Sequence, residues 1–508
     1  MQRVLSTASF VGVLASLAAS ASASVIHVPA TQPTLKAAIA AATSGDEIVV
    51  ADGTYSGPDN RGLDFGGKNL FLHSANGPSA CIIDCELANR AFSFQSGETE
   101  AAIVEGFTIL NGKPAAGNGG AILVNGVEIA TRPTVRDCVF NNNSAPNGGA
   151  MAISGNADPD VVDCTFVASK AIVSGSNGFG GAISLSGASA AATITGCMFD
   201  SNTSGGGAGI HAQSSSKPTV DRCTFVKNSS SAAGGGMTLG GGANSSVSNC
   251  GFFGNIAGAG GGGGIVCAGS ASNATIVNCV FSGNKALSFG LGGGVYVTSG
   301  TTKLLNCTLA GNTVEAVNLG GALAKLNGAT CMAYNCILWG NTGQQIQSPG
   351  TPTIVVEYSN VQGGFAGVGN SAADPLFVDL DGADNVVGTV DDDFHVVGFS
   401  SAIDSGSNSA WSVALTVDFA GLPRFYDDPA VSNSGEGSSP IIDRGAYESQ
   451  PQRPACALGD LDCDGDVDAA DLGLLLGAWG TNNEDADLDD DGIVAAGDLG
   501  ILLGAWTG

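Results

Sequence analysis

The sequence predicts an all-β fold: a right-handed parallel β-helix solenoid with an N-terminal capping helix, followed by a small α-helical tail built from a duplicated loop. Three observations carry this. A unit of about 28 residues repeats through the middle of the chain, Gly makes up 78 of 508 residues beside an apolar fraction of 44%, and two near-identical Asp-rich loops close the C-terminus. Much Gly together with much apolar residue describes a folded, turn-dense chain rather than a disordered one.

The elements follow in order. Residues 1–23 hold Arg3, an apolar run from Phe10 to Ala19 and the small-residue pattern Ala21-Ser22-Ala23, the pattern of a secretory signal peptide. The run is too short to span a membrane, so the expectation is a secreted, extracellular or cell-surface protein. Next, PTLKAAIAAATSGDEIVV from Pro33 to Val50 places Leu35, Ile39 and Ala42 on one helical face with Gly45 as the stop. Such a helix plugs the open end of a solenoid, which otherwise exposes core and strand edges. Ile48–Val50 and DGTYSG are expected to open the first coil.

Eight segments then line up: CVFNNN at Cys138, CTFVAS at Cys164, CMFDSN at Cys197, CTFVKN at Cys223, CGFFGN at Cys250, CVFSGN at Cys279, CTLAGN at Cys307 and CILWGN at Cys336. An apolar residue sits two after each Cys, and Asn five after it in all but the second unit, where Ser169 stands. Most units reach a Gly-Gly turn and a short strand, such as GGAMAI at Gly148 and GGGVYV at Gly292. Short alternating strands at this period describe coils that stack identical positions about 4.8 Å apart. A small Cys suits the interior and a Phe stack fills it. Asn is expected to take left-handed turns and to hydrogen-bond from coil to coil. The β-helix is assigned to residues 24–346.

These paired signatures resemble the FxxN and GGAI repeats of polymorphic outer-membrane proteins and related bacterial surface β-helices, over roughly Asn111 to Asn341. GDEIVVADGTY and VEGFTILNG look like the opening coils of pectin-lyase-like β-helices. The resemblance implies the fold and leaves activity open.

The cysteine ladder is read as buried free thiols, because one Cys per coil at one position is what stacking produces. Cys81–Cys85 and Cys456–Cys463, local and off the ladder, are the disulfide candidates. A net charge of -28 excludes nucleic acid and anionic membrane as natural partners.

Catalysis on a polysaccharide needs paired carboxylates, or a base beside a bound cation. Acidic residues are sparse between Gly112 and Gly343, and no catalytic site is assigned. Asp200, His211, Asp221 and Arg222, on neighbouring coils, are the weak glycan-site candidates; solvated surface side chains are the alternative. The polar residue before each ladder Cys forms a stripe that is either a glycan contact or the outward face of a strand.

Residues 347–450 break the repeat. ADPLFVD, SAIDSG and DRGAYE there resemble the choice-of-anchor Q segment that follows many bacterial surface β-helices, which implies a cap and adaptor. DLDGADN from Asp379 is an incomplete metal loop, with turn-forming Asp as the alternative. Residues 451–458 are the linker.

In 459–508 the loop GDLDCDGDVDAAD puts Asp460, Asp462, Asp464, Asp468 and Asp471 at positions 1, 3, 5, 9 and 12, with Asp466 at 7. The copy supplies Asp487, Asp489, Asp491, Ile493 as carbonyl donor and Asp498. Calcium takes six to eight oxygens at about 2.3–2.6 Å, and this spacing wraps them around one ion. Each loop precedes one apolar helix. A duplicated loop-plus-helix with Asp at position 12 resembles a type I dockerin, which implies Ca²⁺ as cofactor and a cohesin-like or other surface or matrix protein as partner. The partner-reading positions 10 and 11 are Ala469-Ala470 and Ala496-Gly497, a departure from cellulosomal members. The functional expectation is adhesion or glycan binding by a tethered β-helix; the alternative is a docked polysaccharide lyase or glycoside hydrolase.

Overall fold

A computed structural model describes residues 23–173, 176–315, 319–351, 354–410, 416–450, 458–461, 466–481, 483, 486–489 and 493–507. The predicted leader therefore lies outside the described residues, Ala23 apart. From Val25 the chain winds into a parallel β-helix with three long sheets of 13, 12 and 11 strands, here sheets I, II and III. A shorter fourth sheet lies between II and III in chain order, from Ser144 to Val314. One coil shows the pattern: Lys217–Asp221 in sheet I, Thr224–Val226 in sheet II, Ser229–Ala233 in the short sheet and Met237–Leu239 in sheet III.

In-register pairing stacks like on like. Val161, Ile194, Val220, Val247 and Ile276 form one inward column of sheet I. In sheet II, Phe140, Phe166, Phe199, Phe225, Phe252 and Phe281 are fully buried, with ring centroids 4.5–5.0 Å apart and planes within 8°. Each such pair contributes about 0.5–1.5 kcal/mol beyond simple burial.

The asparagines five after each Cys are also fully buried from Asn202 to Asn312 and form an amide ladder. Asn202, Asn228, Asn255, Asn284 and Asn312 each donate Nδ2 to the Oδ1 of the next, at 2.9 Å. The left-handed conformation expected of them belongs instead to the residue before, as at Asn142, Ser201 and Lys227, with φ between 51° and 55°.

The stripe before each Cys is likewise not a strand face. Asp137, Asp163, Gly196, Arg222, Asn249, Asn278, Asn306 and Asn335 all have φ of 48–64° and make the one-residue corner between sheets I and II. Asn, Asp and Gly tolerate that region, which explains every residue of the stripe but Arg222. The corner turns the next residue inward, so the ladder thiols are buried and free. Cys223 and Cys250 donate Sγ–H to Asp221 O and Ser248 O at 3.3 and 3.0 Å. Cys81 and Cys85 are also free and lie in the core, contrary to the expected disulfide. They serve as small apolar filling, and burial pushes both thiols up to about 12. Cys456 and Cys463 lie outside the described residues.

Helix α1 (Leu35–Ala41) is capped by Thr34, whose hydroxyl accepts from Ala37 N, and buries Leu35, Ala38 and Ile39. Lys68 Nζ donates to Ala42 O (3.1 Å) at its other end. Sheet I begins one coil earlier than expected: Val25–Val28 pairs with Glu47–Val50, Ile26 opposite Ile48. That strand is too short and too close to the leader to stand out in the sequence.

At the other end, sheets I and II run on past Ile346 through Val355–Glu357 and Asn360–Val361. Phe365 packs against the core there. The chain then returns along the side of the last coils rather than only covering their end. Phe394 and Ala446, with Phe377, Phe419 and Tyr447 beside them, pack on the outward Val226, Phe253, Val280 and Ala310 of sheet II. Corner asparagines hold the returning chain: Asn278, Asn306 and Asn335 donate Nδ2 to Val417 O, Asp443 O and Ser407 O at 2.7, 2.8 and 3.1 Å. The tail contributes helices α2 (Ala469–Gly477) and α3 (Ala496–Gly504). No helix among the described residues is long and apolar enough to cross a membrane.

Candidate functional site

The two tail units form one small core from Val467, Leu475, Ala486, Val494 and Leu502. They also exchange backbone bonds: Gly480 N donates to Val494 O and Val494 N to Thr481 O, both at 2.8 Å, while Thr507 N donates to Val467 O at 3.0 Å. Asp468 caps α2 by accepting from Ala470 N at 2.7 Å. Asp471, fully buried, accepts from Leu461 N (2.6 Å) and Asp468 N (2.8 Å). Asp498 repeats this, accepting from Leu488 N and Ala495 N at 2.6 Å. The Ala495 N–H is the main reason its carboxyl is held below the usual range.

Asp487, Asp489 and Asp498 bring carboxylate oxygens within 4.8 Å of one another. No Lys or Arg occurs from Cys456 to Gly508 to neutralise them. Three converging carboxylates fit a hard divalent cation. Asp460, Asp466 and Ile493 lie on the same loops, while Asp462, Asp464 and Asp491 fall outside the described residues.

The four weak glycan candidates do not form a site. Asp200 ends a sheet II strand, His211 lies in sheet III and Asp221 ends a sheet I strand, so they sit on three different faces. Only Asp221 and Arg222 meet, as an ion pair at 2.9 Å. His211 is buried under Phe179, ring centroids 4.6 Å apart, and burial lowers its imidazole to about 4. Sequence proximity misled here because consecutive strands of a coil point away from one another. The Asp379 loop is a turn: Asp384 and Asp391 accept from Val386 N (2.8 Å) and Asp384 N (3.1 Å), and it contributes no carboxylate cluster among the described residues.

The motif DRGAYE staples the returning chain to the solenoid. Arg444 donates to Asn360 Oδ1, Ser405 O and Gly369 O, each at 2.8 Å. Gly445 N donates to Asn335 O and Ala446 N to Thr308 Oγ1, at 2.8 and 3.0 Å. Beneath, Arg424 and Glu448 are buried with Nε and Oε2 3.7 Å apart, and Glu448 accepts from Asp443 N at 3.0 Å. Burial is the largest influence on Asp404, Asp443 and Glu448 and pushes their carboxyls up to about 6, 7 and 9.

Between this staple and the solenoid lies a cleft of about 660 Å³. His395 and Asp393 line it, Nδ1 to Oδ1 at 2.6 Å, with the Tyr447 ring 4.2 Å from the imidazole. The sequence offered no sign of this cleft, since its two walls come from segments far apart in the chain.

A family model described as a right-handed β-helix region matches residues 172–314, less than half of the chain. The fold is a right-handed parallel β-helix. Among solved structures, a pectate lyase, Pel9A, is similar at a TM-score of 0.41 and 14% identity, over 85% of this chain and 97% of that one. The catalytic unit of a thermostable GH87 alpha-1,3-glucanase from Streptomyces thermodiastaticus strain HF3-3 is similar at a TM-score of 0.38 and 13% identity, over 66% of this chain and 65% of that one. Neither likeness bears on activity. No curated protein matches the chain.

Proposed function

We propose that this is an exported protein held at the cell surface or in an extracellular matrix, whose β-helix serves adhesion or glycan binding. In this reading residues 1–23 are a signal peptide, 24–346 the β-helix, 347–450 an anchor-type adaptor, 451–458 a linker and 459–508 a dockerin-like tether. The observation that carries the tether is the convergence of the Asp487, Asp489 and Asp498 carboxylates at the head of α3. Ca²⁺ there would be held by these three with Asp491 and the Ile493 carbonyl, and in the first loop by Asp460, Asp462, Asp464, Asp466, Asp468 and Asp471. It would supply the charge that lets each loop close on its helix. Leu474, Leu476, Trp479, Leu503 and Trp506 expose 37–53% of their surface, as a partner-facing tail would. With Ala at positions 10 and 11 of the first loop, the partner differs from a cellulosomal cohesin.

The test is a pull-down of the full chain against cohesin modules and extracellular matrix fractions, with Ca²⁺ and with EGTA. Capture that needs Ca²⁺ and is lost on Asp498→Ala supports the tether; capture indifferent to both rules it out. A docked polysaccharide lyase or glycoside hydrolase is the second reading, favoured by the Asp393–His395 pair in its cleft. Turnover of any acidic or neutral polysaccharide, abolished by His395→Ala, would decide for it.

A further inference from the structure

Sheet I carries a feature the preceding reading does not use. Its outward positions are in register from coil to coil: Thr193, Thr219, Ser246, Thr275, Lys303 and Met332 form one row. Thr193, Thr219, Ser246 and Lys303 are exposed. The row runs into a second cavity, of about 360 Å³, at the C-terminal end of the sheet.

The returning chain builds that cavity. Its floor is sheet I, with Lys303, Tyr334 and Glu357, and Tyr358 follows at the corner. Its opposite wall comes from residues 407–410 and 436. There Glu436 is fixed by Ser407 and Ser409, whose hydroxyls both donate to its Oε2 at 2.5 Å. The same wall is locked to the solenoid through Asn335 Oδ1, which accepts from Ser407 N at 2.7 Å. Two carboxylates, an ammonium and two phenol rings thus face one space on a rigid support. None of the four glycan candidates named from the sequence lies there.

We propose that this cavity is a subsite for a neutral, extended glycan, whose chain runs from it along the Thr/Ser row. This deepens the glycan-binding reading and rests on it. The chemistry selects the ligand class. A phenol ring gives a flat apolar surface with a polar rim, the form a pyranose face needs, and carboxylates and an ammonium bind hydroxyl pairs. Two carboxylates against one ammonium, on a chain of net charge -28, disfavour an anionic uronate polymer. The coil spacing of about 4.8 Å is close to the rise per sugar of an extended glycan, so successive sugars meet equivalent hydroxyls.

The test is titration calorimetry of the full chain with cellohexaose, xylohexaose, mannohexaose and hexagalacturonate as probes. Saturable binding of at least one neutral hexasaccharide is expected, with hexagalacturonate at least tenfold weaker. Tyr334→Ala should weaken the neutral ligand at least tenfold, and the exposed Lys303→Ala at least threefold, while Lys113→Ala, exposed and outside both cavities, changes it less than twofold. Lys303→Ala keeps the test valid should Tyr334→Ala misfold. If a neutral glycan binds and both variants leave its affinity unchanged, the subsite is wrong and the broader glycan reading stands. Tighter binding of hexagalacturonate also overturns it. If none of the four probes binds, the subsite and the glycan reading fail together.

Discussion

Asn255→Ala tests the amide ladder as the main polar support of the coil. The Asn255 side chain makes four hydrogen bonds: its Oδ1 accepts from Asn228 N (3.0 Å) and Asn228 Nδ2 (2.9 Å), and its Nδ2 donates to Phe225 O and Asn284 Oδ1 (2.9 Å each). Asn284 Oδ1 keeps a second donor, Asn255 N at 3.1 Å, and Asn228 Nδ2 keeps Phe199 O at 2.8 Å. Alanine therefore strands the buried Asn228 N–H and one Asn228 amide hydrogen. A buried unsatisfied group costs about 1–3 kcal/mol, so the pair costs roughly 4 kcal/mol. In a solenoid the damage is confined to neighbouring coils. The assay is native-state hydrogen exchange at Asn228, where about 4 kcal/mol is close to a thousandfold loss of protection. Asn143→Ala is the internal control: its Oδ1 accepts only from Gly112 N at 2.7 Å, so about half the effect is expected. Equal and small losses at the two sites, under about tenfold, would refute the ladder as a source of stability.

Three further outcomes follow from the same geometry. Ser169→Asn completes the ladder at its one gap and should stabilise by about 1 kcal/mol, seen as slower exchange in the coils on either side. Gly445→Ala should release the returning chain, because a Cβ there lies 2.7 Å from Ile337 Cδ1 and 2.9 Å from Thr308 Oγ1 and φ is +93°; limited proteolysis between residues 362 and 450 would report it, with the solenoid ladder still protected. Asp404, Asp443 and Glu448 have carboxyls raised in the fold, so they bind protons that the unfolded chain releases. Their contribution is complete below about pH 4 and falls as the pH rises towards 9, so proteolysis of the same segment should quicken from pH 6 to pH 9, and Glu448→Gln should flatten that dependence.

Much of the solenoid is legible because stacking writes one physical requirement into every coil. The Cys, Phe and Asn columns each repeat at one offset, and the Gly-Gly corners mark where a Cβ meets backbone. Less local facts are not legible. The corner residue before each Cys reads as a strand position, since a single left-handed residue leaves no gap in the pattern. The return of residues 374–450 along sheet II depends on Asn278, Asn306 and Asn335, which look no different from Asn249 in sequence. Asp200, His211 and Asp221 look clustered by number and are separated by the cross-section of the coil. Both cavities join segments distant in the chain, and no short-range pattern encodes them. The tail is the reverse case: its spacing names the residues that meet, and Asp487, Asp489 and Asp498 do meet.

The antiparallel pairing of Ile172 with Asn177 inserts a small excursion into the longest interval of the repeat, yet Phe166 and Phe199 on either side remain 5.0 Å apart. Length added at a corner leaves the columns unbroken. The returning chain, meanwhile, grips only the last coils. Such a molecule can gain or lose whole coils between Gly112 and Ser201 while both of its ends stay intact. Its length is then a heritable quantity, adjustable in steps of one strand spacing and independent of how its two ends are built.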